Sequence, residues 1–251
     1  MRCRARRPIW NSSGARSKRP GGMKRALLFL LALVGLPLVW ALGVAFLEGL
    51  AAGTFTGPIV TPGRLGFLVG ALAMAALYQW KGRAIQVVYV FAHEMTHALV
   101  GLLCLSRIHR VEVSARGGFV QLDKQNLAIT LAPYCVPFYL LLALGLCALV
   151  TLFAPDLIPF WLWSGLFGFC TLFHILYTLD ALLTVSQPDV HLYGRLFSYW
   201  FILCANLLFA SLALPLAGQV PFPDQARRIV HATSGTYRAL FALIPSPTPR
   251  Q

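Results

Sequence analysis

The sequence predicts an all-α polytopic membrane protein of about six transmembrane helices with one short β-hairpin. Three observations predict it. Of 251 residues, 58% are hydrophobic and 12% charged, where an ordinary soluble domain carries about 25% charged residues. Apolar runs of spanning length recur along the chain, and the mean hydropathy is +0.70. After the third run the pattern changes to alternating apolar and polar residues, the period of a strand.

The elements follow in chain order. Residues 1–25 form a basic tail, read as disordered, holding nine of the 21 Lys and Arg and no acidic residue. A basic stretch ahead of a first apolar run retains that end in the cytoplasm and attracts anionic lipid headgroups. The net charge of +13 is therefore read as a membrane feature, and nucleic acid is not an expected partner. Met23-Lys24-Arg25 reads as a second translation start. The first span, 26–47, is too long for a signal-peptide core and lacks a small-residue cleavage site, so it reads as a retained anchor.

Further spans are expected at 64–80, 84–105, 128–153, 158–185 and 195–217. The second is short and rich in Gly and Ala. Trp80, Trp161 and Trp163 fall near span ends, where indole rings favour the interface. Between the third and fourth spans, Val111 to Ala115 alternates, Gly117-Gly118 supplies a turn, and Phe119 to Leu122 continues as a strand. The open edge of such a hairpin could accept an extended peptide as an additional strand. Residues 26–217 are read as one membrane domain. Residues 218–251 are read as a cytoplasmic tail with an amphipathic helix near Gln225 to Leu243.

With the N-terminus inside, 15 of the 21 positive charges fall on the cytoplasmic side: the tail, Lys81, Arg83, Arg227, Arg228, Arg238 and Arg250. Arg64, Arg107, Arg110, Arg116, Lys124 and Arg195 fall opposite. This bias predicts both termini in the cytoplasm, in an inner (plasma) membrane of bacterial type. Five of the six cysteines lie in apolar stretches and none forms a C-x-x-C pair, so they read as small buried hydrophobes.

Within the third span stands His93-Glu94-Met95-Thr96-His97. Positions i and i+4 share a helix face, so both imidazoles can reach one metal ion, expected to be Zn²⁺. Glu94 lies beside them, where a carboxylate can take a proton from an attacking water. A single charge at the centre of a membrane helix costs about 2.5–3.5 kcal/mol, so such a cluster carries a function. Zinc needs a third protein ligand and an open position. Candidates are His174 and Asp180 in the fifth span and Asp189 in Gln187-Pro188-Asp189 just beyond it.

From about Val87 to Leu183 the chain resembles the site-2-protease-type intramembrane zinc metalloproteases, as a divergent, minimal member. His93-Glu94-Met95-Thr96-His97 matches that family's first motif in full. Leu179-Asp180-Ala181 matches two letters of its L-D-G, and Leu131-Ala132-Pro133 looks like its Gly-Pro step. His174 stands near the family's Asn, Tyr177 where its Pro is usual, and Ala181 in place of Gly. The resemblance implies a zinc metallopeptidase that hydrolyses a peptide bond in or near a transmembrane segment of another membrane protein, its partner alongside the bilayer. It favours His93, His97 and Asp180 as metal ligands, with Asp189 and His174 as alternatives. Glu94 is then the catalytic proton carrier and His174 a catalytic helper at the oxyanion or at Asp180.

Two other classes compete. One is a non-catalytic metallopeptidase-like scaffold, disfavoured because zinc binding alone does not need Glu94. The other is a metal- or haem-binding transporter, disfavoured because paired haem ligands come from facing helices. The sequence carries no signal for oligomeric state.

Overall fold

A computed structural model describes residues 20–55, 61–114, 117–184, 187–218 and 220–243. Most of the basic tail, with Arg116 and Arg250, lies outside them. The described chain is mostly helical. Its elements are α1 (Gly22–Val34), α2 (Leu36–Phe55), α3 (Pro62–Leu103), β1 (Ile108–Ser114), β2 (Gly117–Leu122), α4 (Leu127–Cys135), α5 (Phe138–Phe153), α6 (Phe160–Thr184), α7 (Pro188–Leu192), α8 (Arg195–Leu216) and α9 (Phe222–Ala242).

Three stretches are long and apolar enough to cross a membrane: Leu36–Gly53 of α2, and helices α6 and α8. The pair α4 and α5, bent by 75°, makes a fourth if it counts as one crossing. The expected six spans are thus not reproduced as six separate helices, for local reasons. The first is split at Gly35, whose carbonyl accepts the indole N–H of Trp200 from α8 at 2.9 Å. The second and third form one element, α3, broken at Lys81 (φ −131°, ψ 19°). Its Gln79, Lys81, Gln86, His93, Glu94 and His97 dilute the apolar run. The fourth bends because Pro137 has no backbone N–H and holds Val136 out of helical conformation (φ −104°, ψ 113°).

At Lys81 the chain of α3 turns back. Met74 and Tyr89 share one buried cluster with Phe173 and Tyr177 of α6, although a straight helix would part them by about 22 Å. The first half of α3 runs parallel to α6 with the two backbones touching. A Cβ on Gly66 would collide with the Trp161 carbonyl, and one on Gly70 with that of Gly165. Small residues permit such approach where lipid supplies no hydrophobic drive. Tyr78 reaches Tyr177 further along, ring centroids 5.3 Å apart, so the Lys81 turn lies at the Thr184 end of α6.

Helices α2 and α8 are also parallel, since Gly35 meets Trp200 and Gly49 meets Leu214. Arg25 reaches the His191 and Leu192 carbonyls, each at 3.4 Å, just before α8 begins. By contrast, α9 departs from the far end of α8 and packs on α2, where buried Gln225 donates Nε2–H to the Ala45 carbonyl at 3.1 Å. Arg25 and the start of α9 therefore lie at opposite ends of the bundle, at odds with the expectation that both flanks share one face.

The hairpin is antiparallel, with Ser114 opposite Gly117 and Val113 opposite Gly118. Gly117 and Gly118, expected to supply the turn, therefore lie within the strand pairing and open β2; residues 115–116 lie outside the described chain.

Candidate metal centre

The second half of α3 delivers His93, Glu94 and His97 to the bundle interior. His93 and Glu94 are 7% and 3% exposed, and the imidazoles stand 4.9 Å apart between ring centroids. The His97 Nδ1 atom lies 2.8 Å from the Ile129 carbonyl. A carbonyl only accepts, so Nδ1 carries the proton and the Nε2 lone pair remains available as a ligand. The Ile129 carbonyl is held in position by its helix cap: Asn126 Oδ1 accepts the Ile129 N–H at 2.9 Å.

The third group arrives from a different part of the chain. Pro188 opens α7, a single turn that presents Asp189. Asp189 Oδ2 lies 3.8 Å from His93 Nε2 and 3.5 Å from His97 Nε2, and one ligand atom of each residue lies within 4.8 Å of the others. Tetrahedral zinc with bonds of about 2.0–2.1 Å sets its donors about 3.4 Å apart. Two imidazoles and one carboxylate at this spacing fit that ion and leave a fourth position open.

Asp189 is itself braced. The Tyr134 hydroxyl donates to Gln187 Oε1 at 3.1 Å and lies 3.4 Å from Asp189 Oδ2. Gln187 Nε2 in turn donates to the Ala181 carbonyl at 3.2 Å. Buried partners of this kind fix the orientation of a ligand.

Asp180, expected as the third ligand, is not in this group. It lines a separate cavity of about 730 Å³ with Tyr78, Gln79, Trp80, Lys81, Gln86 and Thr184. The chain passes the centre on α6 and returns to it only after Thr184, so Asp189 and not Asp180 meets the histidines. His174 is buried in α6 beside Asn206, outside the three-residue group. Asn206 in turn donates to the Tyr134 carbonyl at 2.8 Å, which links His174 to α4. Away from the centre, Arg195 Nε donates to His191 Nδ1 at 3.0 Å, and His231 lines a cleft with Glu48 and Arg228. His109 pairs with Asp123 beside the hairpin, and its imidazole holds the Asp123 carboxyl below the usual carboxylate range.

Sequence reasoning did not foresee the roles of three residues. Tyr134 follows the Leu131-Ala132-Pro133 step, and Gln187 precedes the Pro188-Asp189 pair, but neither has a local signature of its role. The third is Gly118: a Cβ there would lie 2.6 Å from Glu94 Cγ and 3.1 Å from its Oε1. Strand β2 thus lies directly on Glu94, and only a residue without a side chain fits.

The chain matches no protein-family model, no curated protein and no solved structure at a significant level.

Proposed function

We propose that this protein is a membrane-embedded zinc metalloprotease of site-2-protease type, cleaving a peptide bond in or near a transmembrane segment of another membrane protein. The observation that carries the reading is the convergence of His93, His97 and Asp189 beside a buried Glu94. A zinc ion held by these three groups supplies Lewis acidity towards water and towards the scissile carbonyl.

The chain's own residues do the rest. Ile129, through its carbonyl, fixes the His97 tautomer, and Tyr134 with Gln187 steadies Asp189. Glu94 takes the proton of the attacking water and returns it to the leaving amine, the two transfers balancing. A helical substrate hides its carbonyls in hydrogen bonds, so it must unwind. Strand β2, lying on Glu94, offers an edge on which the unwound segment is held extended. The N-terminus is assigned to the cytoplasm on the charge bias of the tail.

The test uses the purified full chain with a transmembrane model substrate, scored for bound zinc and for cleavage. Wild type should hold about one zinc per chain and cleave. Glu94→Gln should keep the metal and lose cleavage, and His93→Ala should lose both. Cleavage by Glu94→Gln at the wild-type rate overturns the mechanism. Bound zinc without cleavage of any tested substrate favours a scaffold.

A further inference from the structure

Glu48 is the only charged residue of α2. It stands less than two turns from the Gly53 end of the stretch able to cross a membrane, about 8 Å at the helical rise. A charge inside an apolar helix is costly unless it is paired or reaches the interface. Among the described residues the Glu48 carboxylate forms no hydrogen bond and no ion pair.

Cations nevertheless lie close by. Buried Gln225 fixes the start of α9 on α2 through the Ala45 carbonyl, and Arg227, Arg228 and His231 then share one cleft with Glu48 and Asp224. The cleft measures about 440 Å³, a volume in the range of small-ligand sites. Arg227 is answered by Asp224 within α9. Arg228 has no carboxylate partner among the described residues, and its Nε is buried without a hydrogen bond. An unpaired carboxylate on one helix thus shares a cleft with an unpaired guanidinium on another, and the two do not touch. Apolar side chains flank both: Leu47 beside Glu48 is exposed, and so are Phe222 and Val230 of α9. Helix α9 is not among the stretches apolar enough to cross, which sets it and the cleft at the headgroup end of α2.

We propose that this cleft holds the headgroup of a phospholipid carrying a primary ammonium, a phosphoethanolamine, which bridges α2 and α9. Arg228 takes the phosphate through its planar fork, with His231 as a second donor. Glu48 accepts from the ammonium, and the acyl chains run over Leu47 and Val230. A lone anion would leave Glu48 unanswered and be repelled by it, and a lone cation would meet two guanidiniums. Only a ligand with both charges answers both helices. The site needs no metal and stands apart from the protease reading.

The test is native mass spectrometry of the purified full chain in detergent, offered equal amounts of phosphatidylethanolamine, phosphatidylcholine and phosphatidylglycerol. The ethanolamine lipid should be retained about tenfold better than either, the worth of one hydrogen bond to a charged group. The choline lipid offers Glu48 no N–H, and the glycerol lipid offers it no cation. Glu48→Ala should erase that preference, and Arg228→Gln should weaken retention of all three lipids. Arg238→Gln, on the same helix but away from the cleft, should change neither, which separates a site from the general pull of a basic surface. Thermal unfolding in detergent reports that each variant is folded, and the wild-type ranking needs no variant at all. Equal retention of the three lipids by wild type, or a preference that survives Glu48→Ala, overturns the proposal. Tighter retention of phosphatidylglycerol marks a plain anion site and overturns it too. Displacement of the lipid by soluble phosphoethanolamine at equal concentration overturns the lipid as occupant.

Discussion

Gly118 lies so close to Glu94 that a single added carbon would sit 2.6 Å from the glutamate Cγ. That added carbon would also lie 2.7 Å from the Glu112 carbonyl across the hairpin, so the strand cannot simply slide away. Gly118→Ala should therefore displace the Glu94 carboxylate while leaving His93, His97 and Asp189 in place. A misplacement of about 1 Å at a reacting group costs up to about 100-fold in rate. Zinc content should be unchanged and cleavage should fall towards that level; equal cleavage rates for the variant and wild type would remove Gly118 from the site.

The two aspartates separate cleanly by metal retention. Asp189→Asn should release most of the zinc, whereas Asp180→Asn should retain it. Tyr134→Phe and Gln187→Ala should each weaken metal affinity by about 10–100-fold, the usual effect of losing a ligand's own support. Chelator competition measures all four. Zinc lost from Asp180→Asn and kept by Asp189→Asn would reverse the assignment.

Legibility followed distance along the chain. His93, Glu94 and His97 are spaced by one helical turn, so the sequence alone places them on one face. The α3 turn was legible too, because Trp80-Lys81-Gly82-Arg83 interrupts two apolar runs. Asp189 stands in the sequence only as an alternative, because Leu179-Asp180-Ala181 carries a family-like pattern whereas the return of α7 to the centre is tertiary. The bend between α4 and α5 is not legible although Pro133 and Pro137 both interrupt that run, since its composition remains uniformly apolar. Gly117-Gly118 reads as a turn in the sequence because paired glycines usually form one. Their actual requirement, room for Glu94, comes from a residue more than twenty positions away.

Backbone contact between α3 and α6 makes a stability prediction. Gly70→Leu must push the Gly165 backbone away and separate the helices, and overpacking of this kind costs about 1–3 kcal/mol or more. Thermal unfolding in detergent should show a lowered midpoint, with Gly145→Leu, where a Cβ meets nothing within 4 Å, near wild type.

The hairpin should be acid-sensitive. His109 lowers the Asp123 carboxyl below its usual value of 3.8. A depressed carboxylate stabilises the folded form above that unfolded value and loses its contribution as pH falls through the lower folded value. Hydrogen exchange at the β1 and β2 amides, corrected for intrinsic rates, should therefore accelerate as pH falls below about 4. Asp123→Asn should abolish that acid step.

Topology follows from the helix registers. Lys81 lies at the Thr184 end of α6, and Asp156 precedes its Phe160 end, so the two should be reached from opposite sides of the membrane. Cysteines at Lys24 and Lys81 should react from one side and a cysteine at Asp156 from the other. Lys81 and Asp156 labelled from the same side would mean that α6 does not cross.

Asp189 follows His97 by 92 residues and arrives on a one-turn helix whose last carbonyls accept Arg25 from the start of the chain. At translation rates of about 5–20 residues per second, the ribosome needs roughly 5–20 s to supply it after the histidines. During that interval a growing chain holds two imidazoles without the third group of the centre, Asp189, and binds an ion only weakly. The metal centre is therefore completed late, only when the segment after α6 folds back against the start of α1.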